Sequence, residues 1–372
     1  MSGRIRPVTM PKWGLSMEQG TLNRWLVNEG DTVQAGTAVA EVESDKIAGS
    51  LEIPTGGILR RRVASEEEVL PVGALLGVVA EADVSDAEID SFVAEFQSGF
   101  ALGVSEEGKV AAIGPETVVV GGHTLSYLRR GESGETVVLI HGFGGDKNNW
   151  LFNHEVLAAG HVVCALDLPG HGASDKKIDD PTLEGFAKTV IGFADALQLG
   201  DFHLIGHSFG AATSMATALR SPDRVRSLTL IASAGLGSEI DAEYVRGFAR
   251  TNSRKELKAL AGRLFANEEL VTRQLVDDLL KFKRLDGVPN ALDAIASAFL
   301  DGDRQRTVLA TQVAKLGKPI RVIWGEKDRI IPASHSNALG EAAKVHVFPN
   351  AGHMVQMEAA NEVNRILLDQ GA

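Results

Sequence analysis

Residues 204–212 have the sequence LIGHSFGAA. Two apolar residues are placed to end a buried strand, the Gly-His-Ser-Phe-Gly run predicts a sharp turn, and the small residues after it predict a helix. A serine hydroxyl becomes a good nucleophile when an imidazole takes its proton and a carboxylate holds that imidazole in the right tautomer. A five-residue pattern alone is weak evidence, so the surrounding sequence decides whether Ser208 is a nucleophile.

The chain around this turn, from residue 111 to 372, alternates between strand and helix patterns. Gly121-Gly122 predicts a hairpin between strands at 118–120 and 125–129. Apolar runs typical of parallel strands lie at 137–140, 162–166, 202–205, 228–231, 320–324 and 345–348. Residues from about 237 to 316 show helical patterns only. We expect an open α/β sheet with a helical cap inserted between two of its strands.

Two later residues extend the candidate site. Asp328 follows the strand pattern at 320–324, and His353 follows the last strand pattern. With nucleophile, acid and base in this chain order, residues 117–370 resemble the α/β-hydrolase family. The resemblance implies Asp328 as the acid and His353 as the base.

The HGFGG run at 141–145 is similar to the oxyanion loop of the same family. Negative charge develops on a thioester or ester oxygen during attack, and preorganised backbone N–H groups stabilise it. The resemblance implies the N–H groups of Phe143 and Phe209 as donors. The histidines at 141, 171 and 207 and Ser174 are interpreted as structural.

Residues 1–82 consist of short apolar runs separated by glycines, which predicts an all-β domain of short strands. The GTAVA run at 36–40 is echoed by GALLG at 73–77, which predicts an internal duplication with pseudo-twofold symmetry. The link between the two halves, near Lys46, is then expected at an exposed hairpin tip.

The sequence around Lys46 resembles the lipoyl domain of 2-oxo acid and acetoin dehydrogenase complexes. The matching stretches are MPKWG at 10–14, EGDTV at 29–33, the pair Asp45-Lys46, and Pro54 with Gly57. The resemblance implies a flattened β-barrel or sandwich, with lipoate attached covalently to Lys46 by a lipoate ligase. Biotin carriers share this fold, but they usually have Met on both sides of the lysine, whereas Asp45 and Ile47 flank it here. An ordinary solvated hairpin lysine is the alternative.

Residues 83–110 lie between the two patterns and hold seven carboxylates against one lysine, a composition typical of a linker. Ser85 to Glu88 fit a capping box, and apolar residues at 89, 92, 93 and 96 follow at helical spacing. We expect an acidic linker with a short amphipathic helix, which either docks on a neighbour or stays free.

Composition argues against several classes of function. The formal charge of −12 over 372 residues argues against nucleic acid as a partner, because phosphate binding relies on Lys and Arg. No run approaches the ~18 apolar residues of a membrane helix, and the N-terminus lacks a signal pattern. We expect a cytoplasmic protein that binds no membrane and no metal. The single cysteine, Cys164, is predicted to be a buried strand thiol.

The fusion of the two domains resembles the dihydrolipoamide acetyltransferase component of acetoin dehydrogenase complexes, and this resemblance covers the whole chain. It implies transfer of an acetyl group from the lipoyl arm to coenzyme A. It also implies two partners, a thiamine-dependent acetoin-cleaving component and dihydrolipoamide dehydrogenase. Two alternatives stay open: a serine hydrolase (thioesterase, esterase or C–C hydrolase) that carries a lipoyl domain, and a hub that presents the lipoyl arm on a non-catalytic hydrolase fold.

Coenzyme A carries phosphates, so a basic feature is expected near the entrance of the site. Arg246, Arg250, Arg254 and Lys258 recur every fourth residue and are expected to line one helix face. They are candidate phosphate contacts, and a solvated helix face is the alternative interpretation.

Overall fold

The computed structural model describes residues 4–11, 19–34, 36–43, 48–53, 56–102 and 115–369. The chain divides into two compact units, residues 1–112 and 113–372. Within the described ranges, no helix combines the length and apolar character needed to cross a bilayer. In the same ranges, no group of three or more His, Cys, Asp or Glu side chains lies close enough together to hold a metal ion.

The first unit is built from two four-stranded sheets. Its strands are β1 (Ile5–Thr9), β2 (Gln19–Trp25), β3 (Thr32–Val33), β4 (Ala38–Glu43), β5 (Ala48–Glu52), β6 (Gly57–Arg62), β7 (Glu68–Pro71) and β8 (Leu75–Ala80). The strand orders are β1-β8-β6-β3 and β5-β4-β2-β7. Adding four to each strand number, with β1 following β8, converts the first order into the second. The two halves of the sequence therefore take equivalent places in the two sheets, which confirms the predicted duplication.

The echoed glycines occupy equivalent turns in the two halves. Gly36 has φ +81° and Gly73 has φ +86°, a left-handed conformation that favours glycine. Each donates its N–H to a backbone carbonyl across the domain, that of Ile53 at 2.8 Å and that of Met10 at 2.9 Å respectively. The turns therefore repeat in hydrogen bonding as well as in sequence.

Helix α1 (Asp86–Leu102) packs on the first unit. Ile89 is fully buried and joins Leu75 and Val78 of β8 in one apolar cluster. This contact explains why all six residues of β8 are buried: one face of the strand meets the domain core and the other meets the helix. The capping box is present, with Ser85 N–H donating to Glu88 at 2.9 Å and Glu88 N–H donating to Ser85 Oγ at 3.3 Å. The predicted helix therefore exists and docks; residues 103–114 lie outside the described ranges.

The second unit contains one large mixed sheet. Its strands are β9 (Glu116–Val120), β10 (His123–Arg130), β11 (Glu135–Ile140), β12 (His161–Leu166), β13 (Phe202–His207), β14 (Val225–Ile231), β15 (Leu300–Asp301), β16 (Arg304–Gln305), β17 (Ile320–Gly325) and β18 (Lys344–Phe348). The sheet order is β18-β17-β14-β13-β11-β12-β10-β9, parallel from β18 to β12, and β15 pairs with β16 outside it. The predicted strands and the Gly121-Gly122 hairpin are confirmed. Cys164 is buried in β12, and burial raises the pKa of its thiol to about 11.

Helices cover both faces of this sheet and form the cap. They are α2 (His154–Ala158), α3 (Leu183–Ala196), α4 (Phe209–Arg220), α5 (Ala242–Arg250), α6 (Arg254–Gly262), α7 (Arg273–Lys283), α8 (Val288–Phe299), α9 (Ala310–Val313), α10 (Val355–Glu358) and α11 (Ala360–Leu368). Helices α5 to α8 make the cap between β14 and β17. The expectation of helices only is wrong in one detail, because the short hairpin β15–β16 follows α8.

Candidate active site

Ser208 occupies a strained turn between β13 and α4. Its φ of +54° and ψ of −118° are rare for a residue with a side chain, and such strain is typical of a nucleophile elbow. A Cβ at position 206 would lie 2.5 Å from the carbonyl oxygen of Gly210, and one at Gly210 would lie 2.3 Å from that of His141. The two glycines are therefore required by close backbone approach, and they hold Ser208 at the carboxyl ends of the parallel strands.

His353 and Asp328 form a buried hydrogen-bonded pair. The distance from His353 Nδ1 to Asp328 Oδ2 is 2.8 Å, and the two side chains are 2% and 0% exposed. Because an ionised carboxylate only accepts hydrogen bonds, Nδ1 carries the proton, and a lone pair is left on Nε2. This is the tautomer that a general base needs.

Three further donors compensate the charge of the shielded Asp328 carboxylate. The N–H groups of Ile330 and Ile331 donate to Oδ1 at 2.8 and 3.0 Å. The indole N–H of Trp324 donates to Oδ2 at 3.0 Å. The carboxylate is therefore fixed in orientation before it meets His353.

His207 holds the base loop next to the elbow. Its Nε2 lies 2.9 Å from the carbonyl oxygen of His353, and the two imidazole centroids are 4.8 Å apart. Burial holds the pKa of His207 well below its usual range, so this ring is neutral and structural, as predicted. Within the described ranges, neither Ser208 Oγ nor His353 Nε2 has a hydrogen-bond partner. Catalytic hydrogen bonds are often loose without substrate and tighten when it binds.

The predicted oxyanion loop lies against Ser208. A Cβ added at Gly142 would approach Ser208 Cβ to 3.1 Å and His207 Nδ1 to 2.8 Å. The backbone N–H groups of Phe143 and Phe209 donate no hydrogen bond within the part of the chain that the structure describes. Two unused donors therefore flank the serine, where a developing oxyanion would need them.

The other polar residues of these motifs are structural, as predicted. His141 Nε2 accepts the N–H of Leu168 at 3.0 Å, and burial lowers the pKa of its imidazole. Ser174 Oγ accepts the N–H of Ser126 at 2.8 Å and donates to the carbonyl of Asp167 at 2.6 Å. The His141 bond ties the oxyanion loop to the turn after β12, and the Ser174 bonds hold that turn together and against β10.

The cap places aromatic rings beside both candidate oxyanion donors. The ring of Phe248 lies 6.0 Å from that of Phe143, and the ring of Phe299 lies 5.3 Å from that of Phe209. Phe248 also fills the space where a Cβ at Gly144 would stand, 2.2 Å from its nearest ring carbon. The inner side of the cap is therefore apolar next to Ser208.

The four cap cations do not lie on one helix. Helix α5 ends at Arg250, and α6 begins at Arg254 with Ser253 as its N-cap, so the expectation of a single helix face is wrong. Three of the cations are already paired: Arg246 with Asp303 at 2.9 Å, Arg250 with Asp293 at 3.0 Å, and Arg254 with Asp277. Lys258 is exposed on α6. Most of the predicted positive charge is therefore neutralised locally.

Comparisons with known proteins agree with this architecture. A family model described as a biotin-requiring enzyme domain matches residues 6–79, and one described as an α/β-hydrolase fold matches residues 135–360. The chain is 50% identical to the dihydrolipoyllysine-residue acetyltransferase component of the acetoin cleaving system of Pseudomonas putida, over 98% of both chains. It is 46% identical to the component of the same name from Cupriavidus necator, over 99% of this chain and 97% of the relative. This chain belongs to that acetyltransferase family.

The hydrolase unit of this family member also resembles solved hydrolases. The meta-cleavage product hydrolase CumD of Pseudomonas fluorescens matches with a TM-score of 0.62 and 27% identity, over 69% of this chain and 97% of that structure. A 2-hydroxy-6-oxononadienedioate/2-hydroxy-6-oxononatrienedioate hydrolase of Paraburkholderia xenovorans is 29% identical over 66% of this chain. The two acetyltransferase relatives match over the carrier domain as well.

Lys46 lies outside the described residues. The strands on either side of it pair with each other, with Glu43 of β4 opposite Ala48 of β5. Its placement at a hairpin tip stays a prediction.

Two residues that sequence reasoning missed support the site in this acetyltransferase. Trp324 donates its indole N–H to Asp328 and so fixes the carboxylate. A Trp near the end of a buried strand needs an acceptor for this N–H, so the sequence did contain a signal for the contact. Glu358 accepts the N–H of Gly352 and that of Ala266, both at 2.7 Å, and so joins the base loop to the cap. No sequence pattern pointed to Glu358.

Proposed function

We propose that the chain transfers an acetyl group from a lipoyl thioester to coenzyme A at the Ser208 site. The proposed roles are nucleophile for Ser208, base for His353, acid for Asp328, and oxyanion donors for the N–H groups of Phe143 and Phe209. The observation that carries this proposal is the shielded His353–Asp328 pair beside the elbow, in a chain that also carries a lipoyl-type domain.

The lipoyl arm, attached at Lys46 by a lipoate ligase, supplies the acetyl group as a thioester, which is the substrate of the site. The acetyltransferase relatives are named as components of an acetoin cleaving system. Because such a system has several components, the proposed partners of this chain are a thiamine-dependent acetoin-cleaving component that loads the arm and a dihydrolipoamide dehydrogenase that reoxidises it.

In the first half-reaction, Ser208 Oγ forms a bond to the thioester carbonyl carbon while His353 Nε2 takes the hydroxyl proton. The carbonyl oxygen gains negative charge and accepts hydrogen bonds from the two free backbone N–H groups. The carbon–sulfur bond then breaks, and His353 returns the proton to the departing thiol. An acetyl ester of Ser208 remains.

In the second half-reaction, His353 takes the proton of the coenzyme A thiol, and the sulfur attacks the ester carbonyl. The carbon–oxygen bond breaks, and the proton returns to Ser208 Oγ. In the alternative route, His353 activates the thiol for direct attack on the thioester, and Ser208 forms no bond.

The test supplies acetyl-dihydrolipoamide with and without coenzyme A and measures acetyl-coenzyme A and free acetate. Ser208→Ala is expected to abolish transfer, while Ser214→Ala is the control, because the Ser214 hydroxyl bonds only within α4, to Gly210 O at 2.8 Å. Full transfer by Ser208→Ala would rule out the acyl-serine route and leave direct thiol attack. Absence of both products from the wild-type protein would leave the hub interpretation.

Hydrolysis is the second candidate, because the hydrolase unit matches relatives that are named hydrolases. It predicts acetate release at the same rate whether or not coenzyme A is present. Acetyl transfer predicts that coenzyme A captures the acetyl group and that acetate is a minor product.

Attachment of lipoate is tested by the intact mass of protein from cells supplied with lipoate. Residues 1–82 contain two lysines, Lys12 and Lys46, so Lys12→Arg is the matched control. Lys46→Arg is expected to lose the added group and Lys12→Arg to keep it. The opposite pattern would remove Lys46 as the attachment site.

A further inference from the structure

A buried cation in the cap has no carboxylate partner. Lys283, the last residue of α7, is 1% exposed, and its ammonium group donates to the backbone carbonyls of Phe248 and, at 3.1 Å, Ala249. Within the described ranges no acidic side chain pairs with it, and burial lowers the pKa of its ammonium group to about 8. The ammonium is therefore mostly charged at neutral pH, and its charge is not compensated by an anion of this chain.

Among the residues that the structure describes, Arg284 brings a second cation without a carboxylate partner to the same place. It is exposed, and in the described part of the chain its guanidinium has no hydrogen-bond or ion-pair partner. This distinguishes it from Arg246, Arg250 and Arg254, each of which already contacts an aspartate. A guanidinium without a partner is suited to bind a phosphate through two N–H groups.

Both cations line one cavity of about 460 Å³, which we call the cap cavity. Its other polar lining residues include Asn252, Asp286 and Asn290. Helix α8 begins at this cavity: Gly287 is its N-cap with φ +82°, and no side chain caps the helix. The first turn of this 12-residue helix therefore adds positive potential. Its one unused backbone donor in the described structure is the N–H of Asn290, because Pro289 has no N–H and those of Val288 and Ala291 already donate to Leu285 and Gly287. Asp286 adds one negative charge, so the lining keeps a positive balance.

Phe248 lies between Lys283 of the cap cavity and Phe143 of the oxyanion loop. Lys283 Nζ lies 5.0 Å from the ring centroid of Phe248, and that ring lies 6.0 Å from the ring of Phe143 in the oxyanion loop. A ligand with an anionic end and a thiol on a flexible arm matches this arrangement, because the anion stays in the cavity while the arm reaches past the cap.

We propose that the cap cavity, through Lys283, Arg284 and the start of α8, binds the phosphate groups of coenzyme A. This inference rests on the proposed acetyl transfer and gives that reaction a co-substrate site. It replaces the paired arginines of α5 and α6 as the phosphate contacts.

The test compares coenzyme A with pantetheine, an acceptor thiol that lacks the phosphates. Arg284→Glu is expected to raise the KM for coenzyme A by about tenfold or more, and to leave kcat and the KM for pantetheine unchanged. Arg284→Gln should have a smaller effect of the same kind. Asp286→Asn should lower the KM for coenzyme A, because it removes the one negative charge of the lining. Arg250→Glu is the matched control, since Arg250 is also exposed but is paired with Asp293.

Three other results would overturn the proposal that the cap cavity binds the phosphates. An unchanged KM for coenzyme A in Arg284→Glu, or an equal rise for pantetheine, means that the cavity does not hold the phosphates. A larger rise in Arg250→Glu than in Arg284→Glu places them on the outer face of α5 instead.

A binding measurement separates this site from the reaction itself. Calorimetric titration with inorganic pyrophosphate is expected to show binding to the wild-type protein and at least tenfold weaker binding to Arg284→Glu, even if no acetyl transfer is found. Transfer without pyrophosphate binding would keep the proposed function and overturn the cap cavity.

Discussion

Replacement of Asp328 by Asn tests the catalytic pair most directly, because the hydrogen bonds around this side chain determine how an amide must sit. Two backbone N–H groups donate to Oδ1, while His353 and Trp324 donate to Oδ2. With its oxygen toward the backbone, the amide directs its NH₂ group at Trp324 N–H, which is one donor–donor conflict. The flipped amide directs NH₂ at two backbone N–H groups, so the first orientation is favoured.

In the favoured orientation the NH₂ group donates to His353 Nδ1. The imidazole proton then lies on Nε2, and that nitrogen cannot accept the proton of Ser208 or of the thiol. We expect kcat to fall by about ten thousandfold, equivalent to about 5.5 kcal/mol of transition-state stabilisation, because the wrong tautomer disables the base. The KM values should change little, since no binding contact is removed.

The assay is the rate of acetyl-coenzyme A formation at saturating acetyl-dihydrolipoamide and coenzyme A. Glu326→Gln is the control, because Glu326 lies in the same loop but is exposed. Near-ultraviolet circular dichroism checks that both variants are folded. If Asp328→Asn kept a tenth or more of the wild-type kcat, the assignment of Asp328 as the group that orients His353 would be refuted.

Three other predictions concern residues around the site and in the carrier domain. Gly142→Ala should lower kcat by about a hundredfold in the same assay, because its Cβ would lie 2.8 Å from His207 Nδ1 and displace the oxyanion loop; an unchanged kcat would contradict this geometry. Ile89→Ala should destabilise the carrier domain by about 2–5 kcal/mol in thermal unfolding, whereas Ser91→Ala, on the exposed side of α1, should be neutral; equal effects would mean that the helix does not dock. Burial lowers the pKa of Lys283 to about 8, against an ordinary 10.5 in the unfolded chain. Burying the charged ammonium therefore lowers the free energy of unfolding by its full amount below pH 8, and this destabilisation disappears as the pH rises to about 10.5. Chemical unfolding should therefore show the wild-type protein gaining about 3 kcal/mol over Lys283→Met across that window, and a constant difference would show that the ammonium is not desolvated.

Local patterns predicted the elbow and the sheet because their causes are local. Gly206 and Gly210 are required by backbone approaches of 2.5 and 2.3 Å, and apolar runs buried on both faces mark parallel strands wherever they occur. The duplication was equally accessible, since Gly36 and Gly73 adopt the same left-handed turn and the two sheets repeat one strand order. In these places the sequence within a few residues contains the physical reason for the structure.

The cap resisted prediction because its charges are balanced across long sequence distances. A four-residue repeat of cations indicates a helix face, but it does not reveal that Ser253 starts a new helix. Nor does it reveal the partners: Arg246 pairs with Asp303, and Arg250 pairs with Asp293, on segments that follow much later in the chain. Tertiary pairing decides which cations remain free to bind a ligand. The same reason hid Glu358, whose two acceptor bonds join loops that no pattern connects.

The cap has two opposed requirements, and Phe248 lies between them. In the proposed reaction, acyl transfer rather than hydrolysis needs apolar, water-poor surroundings for Ser208, whereas the phosphates of coenzyme A need hydration and positive charge. One face of the Phe248 residue meets Gly144 and the ring of Phe143, while its backbone carbonyl and ring meet the ammonium of Lys283. In the proposed reaction, this single residue would face the acyl group on one side and border the proposed anion site on the other. Because the last turn of α5 carries both Phe248 and the carbonyls that Lys283 binds, we propose that a shift of this helix changes both environments together.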